Sequence, residues 1–288
     1  MTEFVLYHYH PSLVAAIIFI VLFGLSAALH IFQLLRSRTW YFIPFIIGCA
    51  FEAVGYAGRA ISATQSPDWA TMPYAMQSLL LLLGPTLLAA SIYMVLGRII
   101  RLLDADSYSV IPPKWLTKFF VMGDVLSFFI QSGGGGILAN AKKQKTVDLG
   151  QYVIIAGLGV QILFFGFFII VTCMFHYRIL ALPTARSMTI QVPWKPYILV
   201  LYTASILIMI RSVFRVAEYV TGADGVLQAK EFYIYIFDGA LMIITVVIFN
   251  LFHPSRIIHR EAKSEMDGSE DQDGTHSLDA MPSRPAIA

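Results

Sequence analysis

The sequence predicts an all-α, polytopic membrane protein with seven transmembrane helices, and three observations carry that prediction. Of 288 residues, 57% are hydrophobic and only 13% charged, against about 25% charged in an ordinary soluble chain. Mean hydropathy is +0.70. Apolar runs of membrane-crossing length recur along most of the chain, separated by short connections carrying Pro, Gly and charge. A net charge of +2 gives no basis for nucleic-acid binding, so none is expected.

The first apolar run, 12–35, is long enough to cross a hydrocarbon core of ~30 Å at ~1.5 Å per residue. Residues 1–11 lack the basic start and small-residue cleavage site of a signal peptide, so the run is expected to stay as an anchor. Six more follow at 41–62, 74–100, 116–138, 152–175, 197–220 and 231–252. Pro67 and Asp68, Pro112 and Pro113, Pro183, Pro193 and Pro196, and Gly222 with Gly225 punctuate the connections, none of which is long enough to fold as a domain. The expected organisation is an extracellular amino terminus (1–11), a seven-helix membrane domain (12–260) and a disordered cytoplasmic tail (261–288) rich in Ser, Gly, Asp and Glu. Cys49 and Cys173 lie inside apolar runs and form neither a disulfide framework nor a metal spacing.

Basic residues orient the spans. Arg36, Arg38, Arg98, Arg101, Lys114, Lys118, Arg178, Arg186, Lys195, Arg256, Arg260 and Lys263 fall on the side of the carboxyl terminus; Lys142, Lys143, Lys145 and Lys230 fall on the other. Twelve against four places the amino terminus outside and the tail in the cytoplasm by the positive-inside rule.

Ionisable residues within the spans are the candidate site. Glu52 falls near the bilayer centre, and Arg59, two turns on, shares its helical face. Asp124 and Gln131 repeat that seven-residue spacing on the fourth span. In IRSVFRVAEYVTG, Arg211, Arg215 and Glu218 line one face in the outer half of the sixth span. Asp238 lies about 10 Å below the outer surface on the seventh. The sixth span has twelve Leu, Ile, Val or Phe residues, worth about 6 kcal/mol of insertion, against a penalty near 9 kcal/mol for its three charges. It therefore needs partners, and Arg211 or Arg215 is expected to pair with Glu52 or Asp238. Two readings stay open: a salt-bridge network that fixes helix packing, or a ligand-contacting site. Four acids facing three arginines leave one carboxylate over, to hold a proton or the ammonium of a cationic amphiphile.

Two backbone features accompany these charges. Gly84 and Pro85 are expected to interrupt the third span. Gly133 to Gly136 are expected to fray the outer end of the fourth or to admit a close neighbour. Tyr7, His8, Tyr9 and His10 read as interfacial aromatics. His30, His176 and His253 lie near the cytoplasmic ends of their spans without HxxxH or HExxH spacing, so no metal and no cofactor is expected. Neither a P-loop nor a G-x-S-x-G elbow is present, and the reading is of a protein that is not an enzyme.

Several motifs occur in order: YHYHPS at 7–12, FEAVGYAGR at 51–59, LLLLLGPTLLAASIYMVLGRII at 79–100, IPPKWLTKFFVMGDVLSFFIQSGGGG at 111–136 and IRSVFRVAEY at 210–219. Together they resemble the fungal RTA-like family, also called the lipid-translocating exporter family. The resemblance extends from about Tyr7 to Pro254. It implies a seven-span protein of fungal membranes, often the plasma membrane, linked to movement of sphingoid long-chain bases and to resistance to toxic lipids and drugs. Some relatives are tied instead to porphyrin or haem traffic. The family's acidic and arginine positions correspond to Glu52, Arg59, Asp124, Gln131, Arg211, Arg215, Glu218 and Asp238, and the basic AKKQK segment after the glycines departs from its pattern.

The expected function is translocation or export of an amphipathic lipid, with membrane lipids and that substrate as partners. A lipid receptor or sensor is the alternative class. A seven-span lipid amide hydrolase built on the histidines is a third, and it would need metal.

Overall fold

In lipid every backbone polar group needs a partner inside the protein, and helices supply nearly all of them from their own backbone. The computed structural model describes residues 10–65, 69–139, 143–190, 193–221 and 230–255. Tyr7, His8, Tyr9, Pro67, Asp68, Lys142, Gly222, Gly225, Arg256, Arg260, Lys263 and the tail 261–288 lie outside the described residues. Seven helices are long and apolar enough to cross a membrane. They are α1 (Leu13–Ser37), α2 (Ile43–Thr64), α3 (Thr71–Leu102), α4 (Pro113–Ala139), α5 (Gln144–Ala181), α7 (Trp194–Thr221) and α8 (Phe232–Leu251), with a five-residue helix α6 (Ala185–Thr189) between α5 and α7. No strand occurs among the described residues.

Local chemistry sets the ends. The hydroxyl of Ser12 accepts from the Ala15 N–H and caps α1, while Arg38 takes a left-handed conformation at its far end. Pro44 opens α2 and Pro113 opens α4, positions where a missing N–H costs the helix nothing. The spans outrun their apolar cores, most of all α5 at 38 residues. Hydropathy marks only the lipid-embedded part, whereas the helix continues through Lys145 and Asp148 at one end and Arg178 at the other.

The helices close into a ring. Consecutive spans pack on one another, α8 packs on both α7 and α1, and α3 crosses to meet α7. Helices α3 and α7 form the centre: 67% of the most apolar stretch of α3 and 56% of that of α7 are buried, against 28% for α1. Because lipid is as apolar as Leu, burial of aliphatic surface alone does not hold such a bundle; close contacts and polar bonds do. Val14, Leu25, Phe129, Leu163 and Leu199 accordingly face outward. Inside, Tyr93, Phe120, Phe165 and Phe168 interlock α3, α4 and α5.

Both expected breaks take another form. Helix α3 continues through Gly84 and Pro85, and α4 continues through Gly133 to Gly136 to end at Ala139. Fraying is prevented at the glycines because Gly134 packs against α5, where an added Cβ would lie 2.8 Å from the Gly150 carbonyl and 2.7 Å from Ile154. The close-neighbour alternative is thus the one realised, and it is realised at Gly134.

Candidate functional site

The stripe on α7 meets α3 and α8 in one buried network. Arg211 is fully buried; its Nε donates to Asp238 Oδ1 and its Nη2 donates to the Leu81 carbonyl. The second bond follows from the sequence of α3. Pro85 has no N–H to offer the carbonyl four residues back, which is that of Leu81. A guanidinium from another helix supplies the missing donor, so the proline stands inside a continuous helix because Arg211 satisfies what it leaves open.

Arg215, one turn on, donates from Nη1 to Glu218 Oε2 at 2.9 Å, and its Nη2 lies 3.8 Å from Asp238 Oδ2. Asp238 sits in a π-helical stretch, Tyr235–Ala240, a rare geometry that occurs mostly as single turns inside α-helices and is frequent at functional sites. Two arginines and two carboxylates thus balance one another inside the bundle.

Glu52 lies beside this network rather than in it. It is 0% exposed, within Coulombic range of Asp238, Arg211 and Arg215, and packed on Gly84, where an added Cβ would come within 2.7 Å of Oε1. Neither carboxylate oxygen has a hydrogen-bond partner among the described residues. The expected pairing with arginine is therefore realised at Asp238 and not at Glu52, because Arg211 is already held by Asp238 and the Leu81 carbonyl.

Arg59 belongs to a second group nearer the amino-terminal face. Its Nη2 donates to Glu231 Oε1 at 2.9 Å and its Nε to the Tyr235 hydroxyl at 3.0 Å. The same Glu231 accepts from the Ser12 N–H at 2.8 and 3.0 Å. One carboxylate thereby ties the starts of α1 and α8 to α2.

Asp124 and Gln131 form a third group between α3, α4 and α5. Asp124 Oδ2 accepts from the Tyr93 hydroxyl at 3.0 Å. Gln131 Nε2 donates to Ser127 Oγ and, at 3.3 Å, to Gln161 Oε1, while Ser127 donates to the Gly157 carbonyl at 2.7 Å. An expectation of one carboxylate without an arginine is corrected by this geometry: Glu231 joins as a fifth acid, and among the described residues both Glu52 and Asp124 lack an arginine hydrogen bond or ion pair. The histidines divide as well. His30 and His253 lie with ring centroids 5.9 Å apart, whereas His176 bonds the Tyr202 hydroxyl at 3.3 Å. Among the described residues no group of three or more His, Cys, Asp or Glu is placed to hold a metal ion.

Sequence reasoning missed Glu231, Tyr235, Tyr93 and Gln161. Glu231 had a usable signal, since it stands seven residues before Asp238, the spacing that already marked Glu52 with Arg59 and Asp124 with Gln131. The donation to Leu81 had none, because a backbone acceptor leaves no mark of its own.

Fold and site define a multi-pass integral membrane protein with a charged interior. The chain belongs to a family described as RTA1 like protein, whose profile matches residues 45–261. It is 36% identical over 286 residues to Protoporphyrin uptake protein 1 of Saccharomyces cerevisiae, covering 86% of this chain and 91% of that one. It is 37% identical over 277 residues to Protein RTA1 of the same yeast, covering 87% and 85%. A third relative, Sphingoid long-chain base transporter RSB1 of Saccharomyces cerevisiae, is 27% identical over 277 residues, covering 85% and 72%. No solved structure matches significantly.

Proposed function

We propose that the protein moves an amphipathic lipid across the membrane, a sphingoid long-chain base in the first instance, and so contributes to resistance to toxic lipids or drugs. The observation that carries this reading is the buried network on α7 and α8 that also holds the proline position of α3. A polar head entering between α3, α7 and α8 finds carboxylates and guanidinium groups already desolvated, while its chain stays against the apolar flanks. Lipid-linked names among the relatives support it, and in this reading Glu52, Arg59, Asp124, Gln131, Arg211, Arg215, Glu218 and Asp238 line or brace the path. The protein sits in the plasma membrane with its amino terminus outside, so the network opens toward the outer leaflet.

A second substrate class is favoured by one specific observation: the relative named for protoporphyrin uptake is aligned over 91% of its length. Porphyrin carboxylates would address Arg59 or Arg215 where an ammonium would address Glu52 or Glu218. The test is purified protein in liposomes with a panel of labelled sphingoid base, porphyrin and phospholipid. Accelerated transbilayer movement of the sphingoid base alone is expected; movement of porphyrin alone transfers the reading to that class, and binding without movement of any of them makes the protein a sensor.

A further inference from the structure

Among the described residues, the network on α7 and α8 is electrically closed without Glu52. Arg211 and Arg215 face Asp238 and Glu218, two charges of each sign, and Arg59 is matched separately by Glu231. An ionised Glu52 would add an uncompensated charge at a position that is 0% exposed, with neither oxygen hydrogen-bonded among the described residues. Isolated buried carboxylates avoid that cost by taking up a proton.

The titratable and charged groups facing Glu52 are Cys49 and Tyr56 on its own helix, Arg211 and Arg215 on α7 and Asp238 on α8. Helix α3 presents Gly84 to Glu52, and Phe19 and Phe23 of α1 stack on Tyr56. Arg211 carries one further donor, Nη1, that has no partner among the described residues.

We propose that Glu52 is a proton-binding site that governs the hold of Arg211 on α3. With its proton on, Glu52 is a neutral spacer against Gly84, and Arg211 keeps Asp238 and the Leu81 carbonyl. When the O–H bond breaks and the proton passes to water entering between parted helices, the new carboxylate becomes an acceptor for Arg211 Nη1. Recruiting the guanidinium draws it from Leu81, whose carbonyl opposite Pro85 then has no helical donor to fall back on. Proton occupancy is thus coupled to the attachment of α3 to α7, at the one place where α3 cannot repair itself. This rests on the transport reading for its purpose but not for its test.

Infrared spectroscopy of the purified full chain in lipid at neutral pH gives the test, with no substrate present. A protonated-carboxyl band is expected that persists in Asp124→Asn, disappears in Glu52→Gln and shifts in Glu52→Asp. A wild-type protein without the band, or a band that survives Glu52→Gln unchanged, overturns the proposal. If Glu52→Gln does not fold, Glu52→Asp decides, and an unmoved band is then the contrary result. Failure of transport with every substrate in the panel would leave this outcome untouched.

Discussion

At the scale of single residues, Asp238 carries the most. It answers both Arg211 and Arg215 from a fully buried position, so removing its charge takes from Arg211 its ion-pair partner among the described residues and leaves Arg215 with Glu218. Breaking one side of a buried ion pair costs about 3–5 kcal/mol. Asp238→Asn is expected to lower the unfolding midpoint in detergent strongly, and a midpoint equal to wild type would show that the pair is not a structural lock. Glycines give a paired contrast. Gly84→Ala places a methyl 2.7 Å from Glu52 Oε1 and 3.0 Å from its Cδ and Cγ, so the buried Glu52 side chain must shift, and about 1–3 kcal/mol of destabilisation is expected. At Gly133 nothing lies within 4 Å of an added Cβ; Gly133→Ala should stabilise α4 by about 0.8–1 kcal/mol through helix propensity alone. Thermal unfolding of the two variants side by side checks both signs.

At the scale of elements, the informative helix is α3. Its Gly84 and Pro85 read as an interruption in one dimension, because the sequence shows which donor is missing and not what replaces it. In three dimensions Arg211 reaches across from α7 and the helix runs on. Pro85→Ala returns an N–H to the Leu81 carbonyl and should raise stability, by up to about 3 kcal/mol, while loosening the dependence of α3 on α7. Hydrogen exchange at α3 in wild type and Arg211→Ala checks that dependence: exchange near Leu81 should rise in Arg211→Ala, and should rise less when Pro85→Ala is added. The run of glycines in α4 failed as a break for a related reason. Helix-breaking cost is a local quantity, and the packing of Gly134 on α5 outweighs it.

At the scale of the whole molecule, seven spans and the burial of all eight candidate residues were legible from apolar run length and from the cost of charge in lipid. Helix periodicity also placed Arg211, Arg215 and Glu218 on one inward face. Legibility ended at pairing. Which acid an arginine takes depends on how helices cross, and α3 meeting α7 through the centre of the ring leaves no trace in the chain. Helix arrangement likewise decided that Asp238 meets both arginines of α7, that Arg59 meets Glu231 and that Asp124 and Gln131 form a separate group braced by Tyr93 and Gln161.

The resulting picture is of a ring of helices whose centre is held by charge and by one borrowed backbone bond. Its two ends are tied differently: Glu231 bonds the start of α1 at the amino-terminal face, and His30, Phe42, Phe45, Phe249 and His253 cluster at the opposite one. The most direct test of the central claim, that the network is a path for a lipid head, is transbilayer movement of a labelled sphingoid base in liposomes carrying wild-type or Arg215→Ala protein of equal fold. Wild type should move the lipid faster than empty liposomes and Arg215→Ala should lose most of that gain; equal rates for the two proteins would contradict the account.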